Sequence, residues 1–308
     1  MLRIGSNISE VRVDGSVKNL RDDLDAFLNF GLTAAEIGVH GTDVIRNGQL
    51  DLKWLEDIEK TLNQYPFSYS VHAPNPLNLM DDDDFDLHVD VMRASLEFSR
   101  AINAEVMVYH PGRFQAEESF GPLGKLSLSE DRKQELIDLE AEVLRNFADE
   151  FPDQVIAMEN ARPYRYHSPY CYAETIFELK KQVEKIDRPN VGITLDFGHL
   201  HMSSKFFGFN EIDAVSSIAS LIRHCHVHDN FGGAVYHTEK QQTHQVPFGK
   251  GDLHMPVGWG DIDFHALFKL FLHDYKGLLI TELRSRYFSS TGESAAAIIH
   301  IAQNLKAA

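Results

Sequence analysis

The sequence predicts an α/β protein folded as a single (β/α)8 barrel over residues 1–308. Short apolar runs alternate eight times with longer segments of helical period, and no linker or break in composition divides the chain. No Gly-rich fingerprint follows the first run, where Gly5-Ser-Asn-Ile-Ser-Glu stands. A doubly wound open sheet, the rival architecture, usually carries one there. A length of 308 residues is ordinary for one barrel domain.

Taken in order, the runs are residues 3–8, 35–39, 67–72, 106–110, 155–159, 191–196, 225–228 and 278–282. Several are rich in Val and Ile and apolar on both faces, as parallel strands covered by helices must be. Helices are expected at 16–30, from a cap at Asp51, at 86–102, at 172–186, at 210–221, from a cap at Asp263 to 273, and at 294–305. Between runs four and five, Leu136, Leu139, Val143, Leu144 and Phe147 fall at i, i+3, i+7, i+8 and i+11, one helical stripe. The longest irregular stretches, 230–260 and 111–129, would follow strands, on the face where barrel active sites sit.

With 43% apolar and 24% charged residues the composition excludes disorder and low-complexity architecture. The 46 acids against 29 bases give a formal charge of −17, which repels polyanions and disfavours nucleic-acid and anionic-membrane partners. Cys171 and Cys225 form neither a disulfide framework nor a CxxC site, so a reducing, cytoplasmic setting is expected. No apolar run approaches the roughly 20 residues that span a bilayer, and the first residues read as a strand rather than a leader.

The chemistry gathers at the run ends. From the third run onward they finish in His72, His110, Glu159, Asp196, His226 or His228, and Glu282, with His199 three residues beyond Asp196 and the pair Asp252 and His254 in the long loop after the seventh run. Strand C-termini converge on one mouth in a barrel, so these side chains should meet. Each alone has a plainer explanation, a hydrogen-bonded core histidine or a helix cap. Together they would leave several carboxylates unpaired in a low-dielectric mouth with little Lys or Arg nearby, which is strongly unfavourable. Divalent cations resolve the conflict. Imidazole and carboxylate donors without thiolate suit Zn, Mn, Fe or Co better than Ca or Cu(I).

The segments Ser70-Val-His-Ala-Pro-Asn-Pro, Val108-Tyr-His-Pro-Gly, Ala157-Met-Glu-Asn, Thr194-Leu-Asp-Phe-Gly-His, His226-Val-His-Asp-Asn, Gly251-Asp-Leu-His-Met-Pro-Val-Gly-Trp-Gly and Ile280-Thr-Glu-Leu resemble the xylose isomerase-like TIM barrel superfamily. That superfamily joins sugar isomerases and epimerases with AP endonucleases of the endonuclease IV type. The nuclease resemblance implies a trinuclear zinc cluster on His72, His110, Glu159, Asp196, His199, His226, Asp252, His254 and Glu282. The sugar-enzyme resemblance implies one metal on Glu159, Asp196, His226 and Glu282, with Glu159 and Glu282 as the acid–base pair. One to three divalent ions per chain are therefore expected. Many sugar enzymes keep the Asp-x-His-x-Pro-x-Gly loop, so nine ligands do not select the nuclease.

Three features favour a small sugar or polyol substrate. The net charge opposes DNA. The second run, ending Ala35-Glu36-Ile-Gly-Val-His40, resembles the sugar enzymes, in which a Glu here often faces the pocket. No basic loop with interleaved aromatics follows the first three runs; Asp81-Asp-Asp-Asp stands there instead, a solvated loop and helix start that offers no seat for a phosphate backbone. The expected function is thus a divalent-metal-dependent isomerase or epimerase of a sugar, sugar phosphate or polyol ketone. An AP endonuclease-type hydrolase is the alternative, and a metal-binding barrel without catalysis the third. Glu36, Arg162 and Arg284 are expected substrate contacts; Tyr164, His167 and Arg286 stand beside them, the arginines having surface salt bridges as their alternative. His228, with Asp229, is either a substrate contact or a partner orienting His226. His237 and His244 read as surface residues. Gly121-Pro-Leu-Gly-Lys does not amount to a phosphate loop. Phe206, Phe207 and Phe209 leave a lid, a homo-oligomer contact and helix packing open.

Overall fold

The computed structural model describes residues 2–121, 128–239 and 244–307, so the Gly121-Pro-Leu-Gly-Lys run lies outside the described residues except for Gly121. Eight parallel strands close on themselves, each paired with the next and the eighth with the first. They are strand 1 (Arg3–Ile8), strand 2 (Ala34–Gly38), strand 3 (Ser68–His72), strand 4 (Val106–Tyr109), strand 5 (Val155–Glu159), strand 6 (Val191–Asp196), strand 7 (Ile222–His226) and strand 8 (Leu278–Thr281). The predicted barrel is therefore the observed one. Strand 7 differs most: expected at 225–228, it begins at Ile222 and ends at His226, which leaves His228 beyond the strand. Arg223 and His224 break its apolar run, and its pairing with strand 6 shifts register between Ile193 and Thr194.

The helices pack outside. Ser16 caps Val17–Asn29 and Asp51 caps Leu52–Leu62, its side chain accepting from Trp54 N at 3.0 Å. Phe85–Ala101, Glu130–Glu150, Ile176–Ile186, Glu211–Ile218 and Thr291–Ala307 complete most of the layer. The helix expected at 172–186 is split, a 3-10 turn at Tyr172–Glu174 preceding the α-helix. Asp263 caps as predicted, but its helix stops at Phe268. A helix over Phe197–Phe207 and an antiparallel hairpin pairing Ile45–Arg46 with Gln49–Leu50 were not expected.

The main core lies between barrel and helices, where Leu24, Phe27, Ile37, Val71, Leu96, Phe98, Leu144, Leu179, Ile193, Phe197 and Phe268 are fully buried. Each such side chain contributes about 1.5–3 kcal/mol relative to exposure. Ala34, Leu278 and Ile280 form a separate cluster. Side chains alternate between faces along a strand. Two residues on from Ala34 is Glu36, and two on from Ile280 is Glu282, so the face that begins apolar becomes ionisable toward the strand ends. Gly5 is required where strands 1 and 2 close: a Cβ there would sit 2.5 Å from the Ala34 carbonyl oxygen.

Candidate metal centre

The same alternation places Ser70 below His72, Thr194 below Asp196 and His224 below His226. At the centre, His226 Nδ1 lies 3.3 Å from Glu159 Oε2, 3.4 Å from Glu282 Oε2 and 3.9 Å from Asp196 Oδ2. His226 Nδ1, Glu159 Oε2 and Glu282 Oε2 are buried and make no hydrogen bond among the described residues. Donors about 2.1 Å from one tetrahedral ion stand roughly 3.4 Å apart. Three buried, unsatisfied atoms at that spacing fit a divalent cation.

A second group shares Glu159 Oε2, which lies 3.5 Å from His72 Nε2 and 3.2 Å from His110 Nε2. A third forms around Asp252 Oδ2, 3.4 Å from His199 Nε2 and 2.8 Å from His254 Nε2. All nine predicted ligand positions thus meet at one mouth and are covered by the three groups just described; further overlapping sets of donors include Glu36, His224 and His228.

Backbone carbonyls hold the outward nitrogen of three of the histidines. His72 Nδ1 faces the Ala73 carbonyl at 2.7 Å, His199 Nδ1 that of Asn160 at 2.8 Å, and His254 Nδ1 that of Glu282 at 2.7 Å. Each Nε2 is left for the centre. His226 is reversed: its Nε2 meets Glu36 Oε1 at 2.9 Å, freeing Nδ1. Glu36 borders the pocket as expected of a substrate contact, yet its carboxylate is turned onto His226, onto Ser70 Oγ at 2.9 Å and onto His224 Nε2 at 2.8 Å. Sequence reasoning passed over His224, which lies inside strand 7. Asn160, also passed over, clasps strand 6 through Asp196 N at 2.8 Å and Asp196 O at 2.9 Å.

His254 has φ +44°, a left-handed conformation that costs a non-Gly residue energy and persists only where the surroundings enforce it. Asp229 does so. Its backbone exchanges hydrogen bonds with Met255 at 2.8 and 3.0 Å, and its carboxylate accepts from Asn230 N, Gly258 N and Ile262 N.

Burial pushes the Glu159 carboxyl up, but the charges of His226 and His110 hold it well below the usual carboxylate range. Asp252 is likewise pushed up by burial and held well below by His254 and His199. Burial pushes His226 down, while Glu36, Glu159 and Glu282 carry it well above the ordinary imidazole value. His72 rises to about 9 because Glu159 outweighs its burial, and burial takes His110 down to about 4. Protons thus balance the carboxylates, and a bound cation would displace them.

Above the ligands opens a pocket of about 240 Å³ whose wall adds Asn7, Glu10, His40, Asn75, Arg162 and Arg284. Four of these, Asn7, Glu10, His40 and Asn75, were not singled out as pocket residues from the sequence, although His40 and Asn75 fall within the segments that carry the family resemblance. Arg162 donates to Tyr164 Oη at 3.1 Å and lies 3.6 Å from Asp252 Oδ2; Arg284 donates to the Asp252 carbonyl at 2.7 Å. The other candidates lie elsewhere. Arg286 is exposed over the Tyr287 ring, and His167 stacks on Phe120 at 4.1 Å. His244 is exposed as expected, but His237 packs edge-on against Phe120 and His167 and is only half-exposed. Phe206 and Phe207 are partly exposed, whereas Phe209 packs on Phe177.

The sequence profile of the family described as Xylose isomerase-like TIM barrel matches residues 24–307. An uncharacterized protein of Methanocaldococcus jannaschii is 25% identical over 272 residues, 86% of this chain and 79% of that protein. A probable endonuclease 4 of Mycoplasma mobile is 24% identical over 230 residues, 72% of this chain and 69% of that one. Among solved structures, a D-tagatose 3-epimerase-like protein has the same fold, with a TM-score of 0.73 and 21% identity over 99% of this chain and 98% of its own.

Proposed function

Because the chain belongs to the xylose isomerase-like TIM barrel family, we propose that it is a divalent-metal-dependent isomerase or epimerase acting on a sugar, sugar phosphate or related polyol ketone. The observation that carries this reading is the pair Glu159 and Glu282. Both reach the same His226 nitrogen, from strand 5 and from just past strand 8, beneath an open pocket of small-molecule size. A divalent ion held by Glu159, Asp196, His226 and Glu282 would supply a Lewis acid that polarises a substrate carbonyl and acidifies the adjacent C–H. Glu282, whose side chain is 18% exposed, faces the opening, and Glu159 closes the floor at 2%. One carboxylate accepts the proton from carbon and the other returns one, to the neighbouring carbon in an isomerase or to the opposite face in an epimerase. Asn7, His40, Asn75, Arg162 and Arg284 offer hydrogen bonds to the rest of the substrate.

The alternative of a phosphodiester hydrolase draws support from the three adjoining ligand groups and from the likeness to a probable endonuclease 4. The charge of −17 and the acidic run at Asp81–Asp84 oppose it, because DNA affinity rests on neutralising phosphates. Deuterium incorporation from D2O into a panel of ketoses, inososes and hydroxy-ketones tests the proposal, with metal-loaded and metal-free protein side by side. Exchange that requires metal is the expected result. Incision of an abasic-site duplex without exchange into any sugar would replace the isomerase reading with the nuclease. Absence of both turnovers in metal-loaded protein would favour a binding barrel.

A further inference from the structure

A groove of about 360 Å³ lies beside the pocket over the metal ligands, and His40 lines both. Three pieces of chain build it: the hairpin over residues 45–50 with the turn of helix before it, the loop after strand 3, and the first turns of the helix Phe85–Ala101. Ile45, Pro74, Pro76, Leu77, Leu87 and Val91 make its wall largely apolar. The loop Pro74-Asn75-Pro76 divides the two spaces, since Asn75 lines the pocket and both prolines line the groove. The His40 ring centroid is 6.2 Å from that of His72, so the groove begins one imidazole ring away from a candidate ligand. It is built to stay open. Each proline fixes its φ, and Asn47 and Gly48 turn the hairpin at φ +48° and +76°. A Cβ on Gly48 would sit 2.9 Å from Asp90 Cβ, so the hairpin is seated on the helix. Leu87 nevertheless remains 36% exposed.

We propose that the substrate is a sugar or polyol bearing an uncharged, apolar substituent, as the aglycone of a glycoside is. Its polar ring sits over the central ion, and the substituent passes His40 into this groove. Charge narrows the occupant. Among the described residues no Lys or Arg lines the groove, and Asp43 adds a carboxylate, so an anionic substituent is disfavoured. Small-molecule sites are mostly apolar, with a few polar groups that fix orientation. Here the polar groups belong to the metal mouth and the apolar wall to the groove, with His40 and Asn75 at the border. A bare monosaccharide would leave the groove to water.

This inference rests on the metal-dependent reading above, and alkyl hydroxamates test both without knowledge of the sugar. The hydroxamate head chelates a divalent ion, and the tail is lengthened stepwise from acetohydroxamate to octanohydroxamate. Calorimetry on the metal-loaded full chain reads each affinity. Every methylene that enters the groove should tighten binding about fourfold. Leu87→Glu changes an exposed position in the first turn of a helix, where an acid is well tolerated. It should weaken octanohydroxamate by at least about tenfold, because the tail then meets a charge, and leave acetohydroxamate unchanged. Crystals of the octanohydroxamate complex should show the tail against Ile45, Leu87 and Val91. Affinity that does not depend on tail length, or a gain that Leu87→Glu leaves intact, would overturn the groove and leave the metal reading standing. Metal-loaded protein that binds no hydroxamate of any length would remove the metal reading, and this inference with it.

Discussion

Single atoms decide the chemistry of this mouth. His226 presents Nδ1 to Glu159 and Glu282 while its other nitrogen lies 2.9 Å from the Glu36 carboxylate. Glu36→Gln replaces that carboxylate with a weaker partner, so metal affinity should fall about 10–100-fold, measured by competition with a chelating dye. Unchanged affinity would reduce Glu36 to packing. Glu282→Gln should lose the central ion and, beyond that, about 10²–10⁴ in rate from the missing proton-transfer role. Metal content by elemental analysis must accompany the assay, and full content with full turnover would remove Glu282 from the site. Away from the mouth, His201 bonds Glu211 at 2.6 Å and Asp261 at 2.7 Å. Burial pushes its pKa down, but Glu211 and then Asp261 carry it above the ordinary imidazole value. A raised folded value means that its stabilisation is complete below the unfolded value of about 6.5 and is lost as pH rises through the folded one. In urea unfolding, wild type should therefore exceed His201→Gln at pH 6 by more than at pH 9; a gap constant with pH would contradict the linkage. Most of the candidate ligand positions were legible in the sequence because they end a run, while Asp252 and His254 were legible only through the motif of the long loop after the seventh run. Glu36's partner His224 was not, since a lone histidine inside a strand resembles any core residue.

Elements carry these atoms, and Glu140 shows how. It sits fully buried on the helix Glu130–Glu150 and accepts from Tyr109 Oη at 2.9 Å, Tyr172 Oη at 2.5 Å, Gly112 N at 2.5 Å and Gln182 Nε2 at 3.0 Å. It thereby fixes the His110-Pro-Gly turn from outside the barrel. Glu140→Gln would set an amide N–H₂ against surrounding donors. It should destabilise by about 2–3 kcal/mol, read by chemical denaturation, and slacken the His72–His110 ion group. A change under ~0.5 kcal/mol would mean the turn stands without it. The helix Phe197–Phe207 escaped sequence analysis for a physical reason. Its cap is Asp196, the last residue of a strand and a candidate ligand, and its Gly-His-Leu-His-Met-Ser-Ser run carries no apolar stripe because it is buried almost all round. The predicted caps at Asp51 and Asp263 succeeded because capping needs only local geometry.

At the scale of the molecule, a chain of formal charge −17 gathers at its mouth carboxylates that histidine protons, with Arg162 beside Asp252, balance when no ion is bound. Any ion that binds the folded chain alone must stabilise it, by about 2.7 kcal/mol at one hundred times its dissociation constant. Chelation should therefore lower the thermal midpoint, and excess zinc or manganese should restore it; a midpoint indifferent to both would argue against tight sites. Among the described residues no helix is long and apolar enough to cross a membrane. The sequence by itself determined the barrel, because alternating buried strands and amphipathic helices without a break have few other closed solutions. It also determined that the candidate ligand residues at the strand ends meet, because strand C-termini share one mouth whatever lies between them. Only the tertiary structure decided which nitrogens face the centre, that Glu36 turns to His226, that His228 lies against Asp196 and the His254 ring, and that Asn7, Glu10, His40 and Asn75 wall the pocket. Those facts depend on the register between strands and on loops folded back over the mouth, and distances set between remote segments leave no local trace in a sequence.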